Sequence, residues 1–177
     1  MSNLILIIDF GSQYTQLIAR RVRESGVYSI VKSNSITKKE LLDLNPSGII
    51  LSGGPDSITS KKKYNLSKNI LSSNIPILGI CYGMQLITDF FKGKVKPSQK
   101  KEFGHAVFNI GKSSKLFYGL KKGKKLNVWM SHSDKVIKLP KGFESLGSSS
   151  NTKFSAMYSS EKNIYCLQFH PEVTHTD

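Results

Sequence analysis

The stretch "LGICYGMQ", Leu78–Gln85, decides the fold. The apolar run Ile75–Ile80 stops at Cys81, and an amphipathic run starts at Gly83. A strand therefore hands over to a helix at a cysteine flanked two residues away on each side by Gly79 and Gly83. Glycine-X-nucleophile-X-glycine is the pattern of a sharp strand-to-helix elbow, where small residues let strand, helix and substrate approach closely. A helix N-terminus favours a thiolate and leaves backbone N–H groups free to hold an oxyanion. Cys81 thus reads as a nucleophile, whereas Cys166, inside the apolar run "IYCLQF", reads as core.

Upstream of the elbow, short apolar runs alternate with helical patterns. Strands are predicted at Leu4–Ile8, Val27–Val31, Gly48–Leu51 and Ile77–Ile80. Tyr14, Leu17, Ile18 and Val22 recur at helical spacing after Ser12, a candidate cap, and Gly26 ends that helix. A short helix is predicted over Lys38–Leu44, and a polar, lysine-rich helical region that includes Lys61-Lys62-Lys63 leads to Pro76. After Gly93 the strand-like pieces are 102–110, 126–130, 135–139, 154–158 and 164–169, with 148–151 as a surface turn. The expected fold is α/β: an open, mostly parallel sheet flanked by helices, with additional antiparallel strands.

The 177 residues fit one domain, 1–177, with 38% hydrophobic and 10% aromatic residues. The net charge of +14 comes mostly from lysines in scattered short runs without interleaved aromatics. That distribution favours a solvated surface over a nucleic-acid platform. No apolar stretch is long enough to span a membrane, and the opening "MSNLILIIDFGSQ" reads as a strand rather than a signal peptide. Two cysteines form no disulfide framework, so a reducing, cytoplasmic setting is expected.

A nucleophilic cysteine needs a base, and the base needs an orienting group. "QFHPEV", Gln168–Val173, offers both. Pro171 disfavours helix at His170, and in an extended chain His170 and Glu172 would face the same side. His105, His132 and His175 lack a following Pro-Glu. "SGGP", Ser52–Pro55, closes the third predicted strand with two glycines able to present N–H groups.

Together these motifs resemble the class I glutamine amidotransferases: "GICYGMQ" is similar to their nucleophile motif and "QFHPEV" to their histidine–glutamate motif. "DFGSQYTQLIARRVRESGVY", "GIILSGGPDS", "EFGHA", "VWMSHSDKV" and "HPEVTHT" resemble, more narrowly, the amidotransferase domains of GMP synthases, from about Leu4 to Thr176. The resemblance implies a glutaminase with Cys81 as nucleophile, His170 as proton shuttle and Glu172 as its support. It implies an oxyanion hole from the N–H groups of Gly54 and Tyr82. Gln85 and the Ser131–Asp134 turn (Ser131, His132, Ser133, Asp134) would hold the amino-acid end of glutamine, with Asp134 on the α-ammonium. It implies no metal or cofactor in this chain. Ammonia would pass to a synthetase partner, an ATP-pyrophosphatase domain or subunit that uses ATP and Mg²⁺ to adenylate xanthosine monophosphate. No nucleic-acid or membrane partner is implied. Ser133 stands where the family usually has glycine ("SHGD"), and the family's usual C-terminal helix and pyrophosphatase phosphate loop are expected to be missing from 1–177. The alternatives are a catalytically silent docking or regulatory domain of a synthetase, and the amidotransferase subunit of another glutamine-dependent synthase.

Overall fold

The computed structural model describes residues 3–60, 63, 64 and 66–177. Lys61 and Lys62 of the lysine run lie outside the described residues. Strands β1 (Leu4–Asp9), β2 (Tyr28–Ser33), β3 (Gly48–Leu51), β4 (Ile77–Ile80) and β9 (Ile164–Leu167) form a parallel block. β5 (Lys94–Ile110), β6 (Lys125–Lys138), β7 (Glu144–Ser148) and β8 (Ala156–Ser159) join it through antiparallel pairings. The order across the sheet is β2-β1-β3-β4-β9-β8-β7-β5-β6.

The inner parallel strands β1, β3 and β4 are apolar at consecutive positions because both their faces are covered, whereas the edge strand β2 is partly exposed. In β1, Leu6 and Ile8 join one core with Leu51, Met84 and Ile87, while Ile7 joins another with Ile18, Ala19 and Ile80. Helix α1 (Thr15–Glu24) covers the second face, and α4 (Tyr82–Phe90) covers the first. A third cluster, including Phe108, Val128, Met130 and Leu167, fills the antiparallel side. Helix α2 (Lys38–Leu44) starts in a capping box, with Thr37 Oγ1 accepting from the Glu40 N–H and the Glu40 carboxylate accepting from the Thr37 N–H. The strand order reverses beside β1, so the carboxyl ends of β1, β3 and β4 flank the switch point where such sheets place their ligands. Among the described residues no helix is long and apolar enough to cross a membrane.

Several local expectations change. Ser12 is not the cap of α1; Tyr14 holds that position, and the Ser12 hydroxyl accepts from the Tyr14 N–H in a local turn. Among the described residues the region before Pro76 has one short helix, α3 (Lys68–Leu71), because polar lysine-rich sequence offers little apolar face to dock. Ser131–Asp134 is not a turn but the middle of β6, which runs unbroken where two pieces were expected. β5 likewise starts at Lys94 rather than Glu102, and β7 was not foreseen. β9 stops at Leu167, ahead of Phe169. The 148–151 turn is partly internal, since Ser149 is buried and its hydroxyl donates to Glu102.

Candidate active site

Cys81 is the residue between β4 and α4. Its backbone has φ 51° and ψ −104°, a conformation that side chains rarely adopt. The Cys81 N–H donates to Leu167 O at 2.7 Å, and the Gly83 N–H donates to Ser52 O at 3.1 Å, so neighbouring strands hold both sides of the elbow. The flanking glycines are required by contact: a Cβ on Gly79 would stand 3.0 Å from Met84 N, and one on Gly83 would stand 2.5 Å from Leu51 O. Tyr82 opens the helix, so its N–H has no acceptor within α4.

His170 and Glu172 lie on the turn after β9, both nearly fully buried. The segment is not extended: the Val173 N–H donates to His170 O at 3.4 Å, closing a turn around Pro171. The pair nevertheless meets. His170 Nδ1 donates to Glu172 Oε1 at 2.8 Å, which leaves Nε2 for the thiol. The turn is pinned from three directions. The His170 N–H donates to Trp129 O, Thr176 Oγ1 donates to His170 O, and Arg21 Nε donates to Glu172 O. Burial by itself would pull the imidazole down, but hydrogen bonds with Cys81 and Glu172 outweigh it and hold His170 up at about 10. Both partners thus favour the protonated imidazole on the side that faces the sulfur. Gly53 makes room for this approach, since a Cβ there would meet His170 Cε1 at 3.1 Å.

Two cavities meet at Cys81. One, of about 200 Å³, is lined by Gly54, Tyr82 and Gln85 on one side and by Ser131, His132, Ser133 and Asp134 on the other. The second, of about 260 Å³, lies toward Gly11–Tyr14 and includes His170. All the residues singled out from sequence therefore converge, with Glu172 behind His170. Their side chains differ in availability. His132 turns its ring into the protein, with Nδ1 donating to Asp134 O at 2.9 Å and Nε2 standing 3.2 Å from Glu102 Oε2. Gln85 Nε2 also donates to Asp134 O, at 3.0 Å. The Asp134 carboxylate accepts from Ser57 Oγ at the cavity wall. Ser133 is exposed at the rim, with no left-handed φ, so serine meets no backbone conflict there.

Sequence reasoning gave no role to Gln168, Tyr14, Arg21, Ser57 or Glu102. Gln168 Nε2 lies 3.8 Å from Cys81 Sγ, and the Tyr14 ring packs edge-on against His170 with centroids 5.0 Å apart. All five fall inside quoted motifs, which was the available signal.

The class-I glutamine amidotransferase family model matches residues 6–177. The chain is 50% identical over 174 residues to "GMP synthase [glutamine-hydrolyzing]" of Staphylococcus saprophyticus, covering 98% of this chain and 33% of that protein. It is 47% identical over 175 residues to the protein of the same name from Maridesulfovibrio salexigens, covering 99% and 34%. The chain thus spans about a third of the length of these curated relatives. Among solved structures it is similar to a putative GMP synthase subunit from Thermoplasma acidophilum, with TM-score 0.84 and 35% identity over 98% of this chain and 86% of that one. A glutamine amidotransferase from Thermotoga maritima shares the fold, with TM-score 0.74 and 21% identity, over 96% of this chain and 76% of that one.

Proposed function

Because the chain belongs to the class-I glutamine amidotransferase family, we propose that it hydrolyses glutamine to glutamate and ammonia as the amidotransferase part of a GMP synthase. The observation that carries this reading is Cys81, held in a strained elbow between the buried His170–Glu172 pair and a cavity of about 200 Å³.

Cys81 Sγ attacks the carboxamide carbon of glutamine. The oxyanion that forms is met by the N–H groups of Gly54 and Tyr82. His170, cationic at the start, gives its proton to the departing nitrogen, and ammonia leaves behind a glutamyl thioester. Water then attacks the thioester carbon, His170 takes the water's proton, and glutamate is released with Cys81 restored. Glu172 holds the imidazole in its tautomer and stabilises its charge throughout. Gln85 and the Ser131–Asp134 segment bind the amino-acid end of the substrate, with the Asp134 carboxylate on the α-ammonium. Ser131, His132 and Ser133 form the facing wall.

The ammonia serves a synthetase partner, fused or separate, that binds ATP and Mg²⁺ and converts xanthosine monophosphate to GMP in purine biosynthesis. The names of the relatives, glutamine-hydrolysing GMP synthases, support this destination. The two free cysteines support a reducing, cytoplasmic setting.

The test is glutamate release from glutamine by the chain, with and without a GMP synthetase partner, followed by transfer of amide-¹⁵N into GMP. Cys81→Ala abolishes both under this reading. A folded wild-type chain that releases no glutamate in either condition overturns this reading in favour of a silent docking domain or the amidotransferase of another glutamine-dependent synthase.

A further inference from the structure

The ladder between β5 and β6 is broken beside the cavity. Pro97 pairs with Asp134 and Glu102 pairs with His132, so residues 98–101 bulge out opposite Ser133 alone. The ladder pairs Ser131, His132 and Asp134 but is interrupted at Ser133, in the middle of the segment that forms one wall of the cavity. Side chains bridge the interruption. The buried Glu102 carboxylate accepts from Ser149 Oγ at 3.0 Å and from Thr152 Oγ1 at 2.5 Å, and its Oε2 lies 3.2 Å from His132 Nε2. His132 Nδ1 then donates to Asp134 O, the same carbonyl that receives Gln85 Nε2 from α4. The chain of contacts runs from the 149–152 loop through both strands to the nucleophile's helix.

We propose that Glu102 is the positioning residue for the substrate side of the site: through His132 it holds Ser131–Asp134, across the ladder break, in the register that sets the Ser131 carbonyl and the Asp134 carboxylate against the cavity at Cys81. Glu102 touches no reacting atom. It acts on where the amino-acid end of the substrate is bound, and the inference rests on the glutaminase reading above. Desolvation alone would raise the Glu102 carboxyl, but the nearby His132 ring and the hydrogen bonds from Thr152 and Ser149 outweigh it and hold the group down at about 2.

The test uses the 177-residue chain and two electrophiles. Iodoacetamide needs only an accessible Cys81, whereas a chloroketone analogue of glutamine also needs the amino-acid end bound. Glu102→Gln is expected to label with iodoacetamide at close to the wild-type rate and with the chloroketone at least about tenfold more slowly, while KM for glutamine rises by a similar factor and kcat stays within about threefold. Thr152→Val, which removes one donor and leaves the carboxylate, gives the same split at about threefold and guards against a folding defect in the first variant. If Glu102→Gln and Thr152→Val both keep the wild-type chloroketone rate, or lose both rates by the same factor, the positioning role is overturned. A wild-type chain on which the chloroketone has no advantage over iodoacetamide overturns the glutaminase reading, and this inference with it.

Discussion

A Cβ on Gly83 would stand 2.5 Å from the carbonyl oxygen of Leu51 and 2.8 Å from the Leu51 Cβ, so the first turn of α4 packs directly on the backbone of β3. Backbone in a central strand has little room to give. Gly83→Ala is therefore expected to destabilise the fold by about 2–3 kcal/mol, read as a lower denaturant midpoint. Gly26→Ala is the comparison: nothing lies within 4 Å of a Cβ there, and only its φ of +78° opposes the change. Its cost should be about 1 kcal/mol. Equal midpoints for wild type and Gly83→Ala would show that the elbow is not tightly packed.

The two cysteines should separate cleanly. Full burial pushes the Cys166 thiol far up, whereas Cys81 opens onto both cavities. Iodoacetamide is expected to modify Cys81 alone in the native chain and both residues after denaturation. Cys81→Ala should abolish glutaminase activity with the fold intact, and Cys81→Gly should do the same while gaining about 1 kcal/mol over the alanine variant, since glycine accepts φ 51° without strain. Cys166→Ala should cost stability but not chemistry. Loss of activity in a folded Cys166→Ala chain would count against this division of roles.

His170 links activity to pH. Its folded value, about 10, lies above the ordinary 6.5, so protonation of His170 favours the folded chain. That contribution is complete below about 6.5 and is lost as pH rises through about 10. Glu172→Gln removes part of the support, so its thermal midpoint should fall less steeply than the wild type's across the alkaline range. Hydrolysis should slow by roughly tenfold in Glu172→Gln, whose amide oxygen still accepts from Nδ1, and by about 10²–10⁴-fold in His170→Ala. Parallel alkaline slopes for wild type and Glu172→Gln would contradict the assigned pair.

The elbow was legible because its requirements are local: one nucleophile, two small neighbours and an apolar strand fall within a few residues. The alternation of strands and helices before Gly93 was legible for the same reason. Ser131–Asp134 misled because four polar residues in a row resemble a turn. The partners that let them sit in a strand, Glu102 and Ser57, lie far away in sequence. β7 carries one large apolar residue, Leu146, within "ESLGS", and so offers no period to detect. The His170–Glu172 contact was anticipated, but from an extended chain; Pro171 produces it through a turn instead.

A glutaminase that fired freely would waste glutamine, so coupling to a synthetase should hold the lone chain at a low rate. The site has features on which such coupling can act. Cys81 Sγ lies 3.5 Å from Ser131 O, close to a carbonyl that offers no help to a developing oxyanion. Ser131 also sits beside the break in the β5–β6 ladder. A docked partner that bound more tightly to an arrangement with this carbonyl turned away and the Gly54 and Tyr82 N–H groups aligned would raise the competent fraction. The chain alone is therefore expected to release glutamate slowly, and a GMP synthetase partner with ATP and xanthosine monophosphate should raise the rate at least about tenfold, a differential interaction of about 1.4 kcal/mol. Omitting each component in turn gives the measurement. A full rate from the lone chain, unchanged by partner and nucleotides, would remove the coupling and leave a free-standing glutaminase.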